Sequence, residues 1–83
     1  MKVTVVLPAY NAGKTLEKTV RDIPGQLVSE IILVDDFSKD STCQIAKSLG
    51  IQVIRHSKNK GYGANQKTCY KAALERGADI VAM

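Results

Sequence analysis

The chain alternates short, β-rich apolar runs with stretches of helical periodicity. Val3 to Leu7 is the first run, and Pro8 closes it, since proline cannot donate to a sheet ladder. Leu16, Val20 and Ile23 recur at i, i+4 and i+7 and predict a helix from Gly13 to Asp22. Asn11 stands ahead of it as a cap or turn residue, and Pro24-Gly25 ends it. Glu30 to Val34 is apolar on both faces, as strands of a covered parallel sheet are. Asp35-Asp36 ends that strand, and residues 38–42 form a turn. The second helix runs to Leu49, with Thr42, Ile45, Ala46 and Leu49 on one face and Gly50 at its end. Ile51 to Arg55 is a third strand, residues 56–63 a polar loop, and Ala64 to Arg76 a third helix stopped by Gly77. Ala78 to Met83 reads as a fourth strand.

The order βαβαβαβ predicts an α/β fold, a twisted parallel sheet with helices on both faces. Such sheets bind ligands outside the carboxyl ends of their strands. Those ends are Pro8 to Asn11, Asp35-Asp36 and His56 to Gly63, where the unusual residues of the sequence lie. Eighty-three residues make at most one small domain. A chain that stops on a predicted core strand is expected to be the first part of a longer protein, truncated at its carboxyl end.

Composition adds little, but charge does. Residues 55–76 carry a balance of +5 and the rest −1, for a total of +4. A local basic stretch implies an anionic partner. Only Tyr62 and Tyr70 interrupt its lysines, so a phosphate-bearing small ligand explains it better than nucleic acid. Cys43 and Cys69 are too few for a disulfide scaffold and read as reduced thiols. His56, the single histidine, has no cysteine or second histidine near it in the sequence and reads as an ordinary loop residue.

Three segments can carry chemistry. Adjacent carboxylates at Asp35-Asp36 repel unless donors or cations face them. On extended backbone they point opposite ways, so one can face a ligand while the other caps a turn; an acidic turn without further role is the plainer alternative. A carboxylate suits the N3–H of uracil or the N1–H and N2–H of guanine. Pro8-Ala9-Tyr10-Asn11 allows close backbone approach, with a ring at Tyr10 for stacking and an amide at Asn11. Gly61-Tyr62-Gly63 opens a helix whose N–H groups favour anions, with Lys60 and Lys67 nearby. It is neither a Rossmann fingerprint nor a P-loop. A receiver-like phosphorelay domain is disfavoured: the acid pair there follows the first strand and a phosphoacceptor aspartate ends the third, whereas here the pair follows the second and the third ends in Arg55-His56.

Together, residues 5–11, 32–42 and 59–64 resemble the amino-terminal half of family 2 glycosyltransferases, in particular the polyprenyl-phosphate mannose or glucose synthase branch. The resemblance implies a partial GT-A, Rossmann-like fold with strand order 3-2-1-4. It implies an inverting transfer of sugar from a UDP- or GDP-sugar to an acceptor hydroxyl or a polyprenyl phosphate. Pro8, Ala9, Tyr10 and Asn11 would line the nucleotide pocket, Asp36 would bond the base, and Asp35 would support the turn. Gly61 and Lys67 would lie near the ribose and diphosphate. The divalent metal, Mg or Mn, would be held by an Asp-x-Asp beyond Met83, and the catalytic base would also lie further on. No catalytic residue is therefore expected within the chain, which alone would be inactive. The alternative is a non-catalytic nucleotide- or protein-binding module. The setting implied is cytoplasmic, or the cytoplasmic face of a membrane, and exposed apolar sheet surface would favour homo-oligomers. The chain departs from the family at Phe37, where glycine is frequent, and at Cys69, where glycine is usual. Ala12 stands where mannose synthases of this branch usually have glutamate, which points away from guanine and mannose.

Overall fold

A computed structural model describes residues 1–83. The strands are β1 (Val3–Ala9), β2 (Glu30–Asp35), β3 (Gln52–Arg55) and β4 (Ile80–Ala82); the helices are α1 (Leu16–Arg21), α2 (Thr42–Ser48) and α3 (Tyr62–Glu75). A short 3-10 turn at Gly25–Leu27, not expected from the sequence, links α1 to β2. All four strands are parallel, in the order β3-β2-β1-β4. This is the expected α/β architecture and strand order.

Alternation along the strands sorts the core into two layers. Val6, Ile32 and Val34 face α3 and pack on Cys69, Ala72 and Ala73. Ala9 and Leu33 face the other way, onto Leu16 of α1, Ala46 of α2 and Ile51. Small residues along α3 let that helix lie close to the sheet. Thr4, on the α3 side of β1, is fully buried, and its hydroxyl has no partner. An unpaired buried hydroxyl is costly and a methyl in its place is not. Thr4→Val is therefore expected to stabilise the chain by about 1 kcal/mol, read as a higher urea midpoint; a lower midpoint would contradict this account.

Several boundaries differ from the sequence reading, β4 among them, which begins at Ile80 and not Ala78; three of the differences have a physical cause. Strand β1 runs through Pro8 to Ala9, where a stop at Leu7 was expected. The Val3 and Ala9 carbonyls accept N–H bonds from the β2 side, from Ser29 and Asp36, whereas Lys2 accepts from Asp79 and Ile80 beside β4. By alternation, Pro8 faces the β4 side, and β4 ends opposite Val5. No partner there requires the missing N–H. Helix α1 begins at Leu16, not Gly13, because side chains of the next turn take the N–H groups ahead of it: Ala12 donates to Thr42 Oγ1 (3.0 Å) and Gly13 to Asp40 Oδ2 (3.0 Å). Helix α3 begins two residues early, at Tyr62, with the Gly61 carbonyl accepting from Asn65 N–H.

Candidate functional site

The carboxyl ends of β1, β2 and β3 meet on one edge of the sheet. Asp35 N–H and C=O belong to the ladder, and its side chain turns toward α2. There it accepts from Ser38 N–H (2.8 Å) and the Ser38 hydroxyl, and Arg55 Nε lies 3.4 Å away. Arg55 also donates to the Ser38 carbonyl and lies 4.9 Å over the Phe37 ring. Asp35 thus folds the β2–α2 turn back on itself. Phe37 within that turn has φ 64°, the left-handed region that disfavours a bulky side chain. That geometry explains why glycine suits this position.

Asn11 ties the β1–α1 turn to the same structure. Its N–H donates to Ser38 Oγ (2.7 Å), and its Oδ1 accepts from Lys39 N–H (2.9 Å). Its φ of 51° is one that asparagine tolerates.

Asp36 points the opposite way, toward α3, and is 3% exposed. Its Oδ1 accepts from Lys60 N–H (2.8 Å) and from His56 Nδ1 (2.8 Å), and its Oδ2 accepts from Gly61 N–H (2.9 Å). Burial pushes its pKa up, but the hydrogen bonds from His56, Lys60 and Gly61, with the His56 charge, outweigh that and hold it below the ordinary aspartate value. Gly61 has φ 91° and ψ 164°, backbone that only glycine adopts without strain, and this conformation aims its N–H at Asp36. The expected anion site at the start of α3 is therefore partly filled by the protein's own carboxylate.

A cleft of about 250 Å3 opens beside Asp36, lined by Pro8, Ala9, Tyr10, Asp36, Asn59, Gly61, Tyr62 and Asn65. Five residues singled out from the sequence meet there: Pro8, Ala9, Tyr10, Asp36 and Gly61. Asp35 and Asn11 stand behind the wall and brace it, and Lys67 lies exposed on α3 outside the lining. Tyr10 and Tyr62 are 51% and 65% exposed, so two aromatic faces stand free at the mouth. A second hollow, about 600 Å3, lies between Phe37, Lys47 and Arg55 and shares no lining residue with the first.

Four contributors had no individual role assigned from the sequence, although Asn59, Tyr62 and Asn65 lie in or beside the third candidate segment. Asn59 donates to the Asp36 carbonyl (3.4 Å), and Asn65 donates to the Val34 carbonyl (2.9 Å), fixing α3 to the end of β2. Tyr62 adds its ring. His56, read as an ordinary loop residue, is 6% exposed and bonds both Asp36 and Thr68. The available signal was its position, directly after β3 on the carboxyl edge of the sheet.

The thiols take no part. Both cysteines are free; burial pushes Cys69 up to about 11, and burial followed by the neighbouring Asp35 raises Cys43. No three His, Cys, Asp or Glu side chains stand together as a metal site. Asp35 and Asp36 point to opposite faces of the sheet, so the pair does not form a shared metal site. No helix is long and apolar enough to cross a membrane.

Comparison with known proteins agrees with the fold. The chain is 34% identical over 93 residues to the UDP-N-acetylglucosamine–dolichyl-phosphate N-acetylglucosaminyltransferase of Methanococcus voltae, a match covering 92% of the chain and 37% of the relative. It is 40% identical over 68 residues to the dolichol-phosphate mannosyltransferase of Pyrococcus furiosus, covering 74% and 19%. Among solved structures it is similar to S. aureus TarS 1-349 in complex with UDP-GlcNAc, with TM-score 0.80, 27% identity and coverage of 98% and 25%. It is also similar to glucosyl-3-phosphoglycerate synthase from Mycobacterium tuberculosis in complex with Mn2+, UDP-glucose and glycerol 3-phosphate, with TM-score 0.78, 28% identity and coverage of 96% and 31%. The chain thus spans well under half the length of these relatives. The profile of the glycosyl transferase family 2 matches residues 4–82. On fold, strand-end motifs and sequence, the chain belongs to glycosyl transferase family 2.

Proposed function

We propose that this chain forms the nucleotide half of a donor site for a UDP-sugar, in an inverting transfer to an acceptor hydroxyl or a polyprenyl phosphate. The observation that carries this reading is the bonding of Asp36. An ionised carboxylate has about four acceptor positions. Three are filled by His56, Lys60 and Gly61, which leaves one, on Oδ2, at the wall of the cleft. Uracil offers one imide N–H and needs one acceptor. Guanine offers two adjacent donors, which would compete with the Gly61 N–H for the same oxygen. Ala12 agrees, since the glutamate usual in mannose synthases is absent. Tyr10 and Tyr62 supply faces against which a base can stack.

The chain's own residues bind and orient the nucleoside. Asp36 accepts from the base, and the backbone of Pro8 and Ala9 gives a smooth wall for close approach. Displacement at the anomeric carbon needs a base to deprotonate the acceptor, and none is assigned here. A divalent metal supplies charge stabilisation of a departing diphosphate when bound; no side chain of this chain is assigned to it.

Calorimetric titration with UDP and GDP tests the reading. UDP is expected to bind at least about tenfold more tightly than GDP, since one unmatched polar contact is worth roughly 1–3 kcal/mol. Equal affinity for the two, or no binding of UDP at millimolar concentration, would overturn it.

A further inference from the structure

His56 follows β3, where its backbone N–H donates to the Asp35 carbonyl at the end of β2 (2.8 Å), and its ring reaches α3, where Nε2 lies 2.9 Å from Thr68 Oγ1. Its other nitrogen, Nδ1, lies 2.8 Å from Asp36 Oδ1. A carboxylate can only accept, so Nδ1 carries the proton in that contact. The far nitrogen is fixed by the Thr68 hydroxyl, which also lies 3.1 Å from the Ala64 carbonyl. If that hydroxyl donates to Nε2, the ring is neutral. If it donates to Ala64, Nε2 donates to it. In both arrangements Nδ1–H points at Asp36, so the direction of this hydrogen bond does not depend on the ring's charge.

Oxygen Oδ1 is thereby saturated from two sides, by His56 and Lys60, while Oδ2 keeps a single protein donor, Gly61. Without the imidazole, Oδ1 would have an open position, and nothing would distinguish the two oxygens but the two loop amides. Those amides belong to a loop that touches β2 chiefly through Asp36 and Asn59. The ring, buried and bonded at both ends, is the rigid element of the three donors.

We propose that His56, held at Nε2 by Thr68 of α3, is the positioning residue of the nucleotide site: it pins Asp36 Oδ1 so that the open acceptor of Oδ2 faces the cleft. This rests on the nucleotide reading above. Neither His56 nor Thr68 lines the cleft, so the effect is exerted through Asp36 alone.

The test uses the 83-residue chain and its variants His56→Leu, His56→Asn and Thr68→Val. Three readouts are taken: UDP affinity, the carboxyl 13C titration of Asp36, and the imidazole 15N signals of His56. The unsubstituted chain should show Nδ1 protonated. His56→Leu should weaken UDP about tenfold or more and move the Asp36 titration up, because a charge-assisted bond is lost. The His56→Asn amide can still donate from near the Nδ1 position, and should recover affinity to within about threefold. Thr68→Val should fall between them at an unchanged melting temperature. A merely structural histidine would not give this order, and an Asn variant as weak as the Leu variant would overturn the proposal. So would a Leu variant that binds UDP and titrates like the unsubstituted chain. If the unsubstituted chain binds no UDP, the nucleotide reading fails on its own. The Asp36 titration then decides the positioning claim: movement in His56→Leu but not in His56→Asn supports it, and no movement overturns it.

Discussion

Asp36→Asn is expected to weaken UDP binding by about 10–100-fold, the loss of one charge-assisted hydrogen bond, and to destabilise the chain at the same time. The two effects share one cause. The carboxylate accepts from three protein donors, two of them backbone N–H groups of Lys60 and Gly61. An asparagine side chain has one acceptor oxygen and an NH2 group. Whichever way the amide lies, its NH2 faces at least one of those donors. A buried donor left without an acceptor costs about 1–3 kcal/mol. Calorimetry should show the affinity loss and urea unfolding the lower midpoint. An asparagine variant that binds UDP as tightly as the unsubstituted chain would remove Asp36 from the site.

The same carboxylate makes stability depend on pH. The folded chain holds Asp36 below its ordinary pKa, and so too Glu30, through Arg76 and Lys2, and Asp40, chiefly through the Thr42 hydroxyl. For such groups the unfolded chain binds more protons, so stability rises with pH. Their contribution is complete above the ordinary carboxylate range, and is lost as pH falls through about 4 and below. Asp36→Asn should flatten the acid limb of the stability profile, while substitutions on the α1 surface leave it as it is.

Leu33→Ala carries the largest expected cost in stability, about 2–5 kcal/mol, against a total of roughly 4–12 kcal/mol for a domain of this size. Leu33 is fully buried at the middle of β2, between Leu7 of β1 and Val53 of β3, and packs on α1 and α2 through Leu16 and Ala46. Strands on both sides prevent the site from collapsing, so most of the cavity would remain. Leu27, by contrast, is 68% exposed on the 3-10 turn, and Leu27→Ala should change stability by less than about 0.5 kcal/mol. A Leu33→Ala midpoint close to that of Leu27→Ala would refute the two-layer packing.

The difference between those leucines shows what the sequence could not say. Both are leucines in short apolar neighbourhoods, but only the continuous apolar run of residues 31–34 marks a strand covered on both faces. That run, with its β-branched neighbours and the helical stripes between, was enough for the fold class. Pro8 was misplaced because proline is excluded only from a ladder position that has a donor to make. Whether that position exists depends on how far β4 extends, a partner more than seventy residues away. The start of α1 was misplaced for a related reason, since the Asp40 and Thr42 side chains claim the preceding N–H groups.

The site divides in the same way. Alternation along an extended backbone is a local property, and it alone sends Asp35 and Asp36 to opposite faces of β2. Local chemistry also marks Gly61 as the hinge before a helix. What those residues bond is non-local: Asp36 takes its three donors from residues 20 to 25 positions further on, and His56 is tied to Thr68 across a loop and a turn of helix. The sequence by itself determined the order of elements, the parallel sheet and the edge that carries the cleft, because hydrophobic periodicity and strand alternation are short-range. Only the tertiary structure decided which oxygen of Asp36 is left open and which residues hold it there. Hydrogen-bond partners are chosen by distance in space, and chain separation does not constrain them.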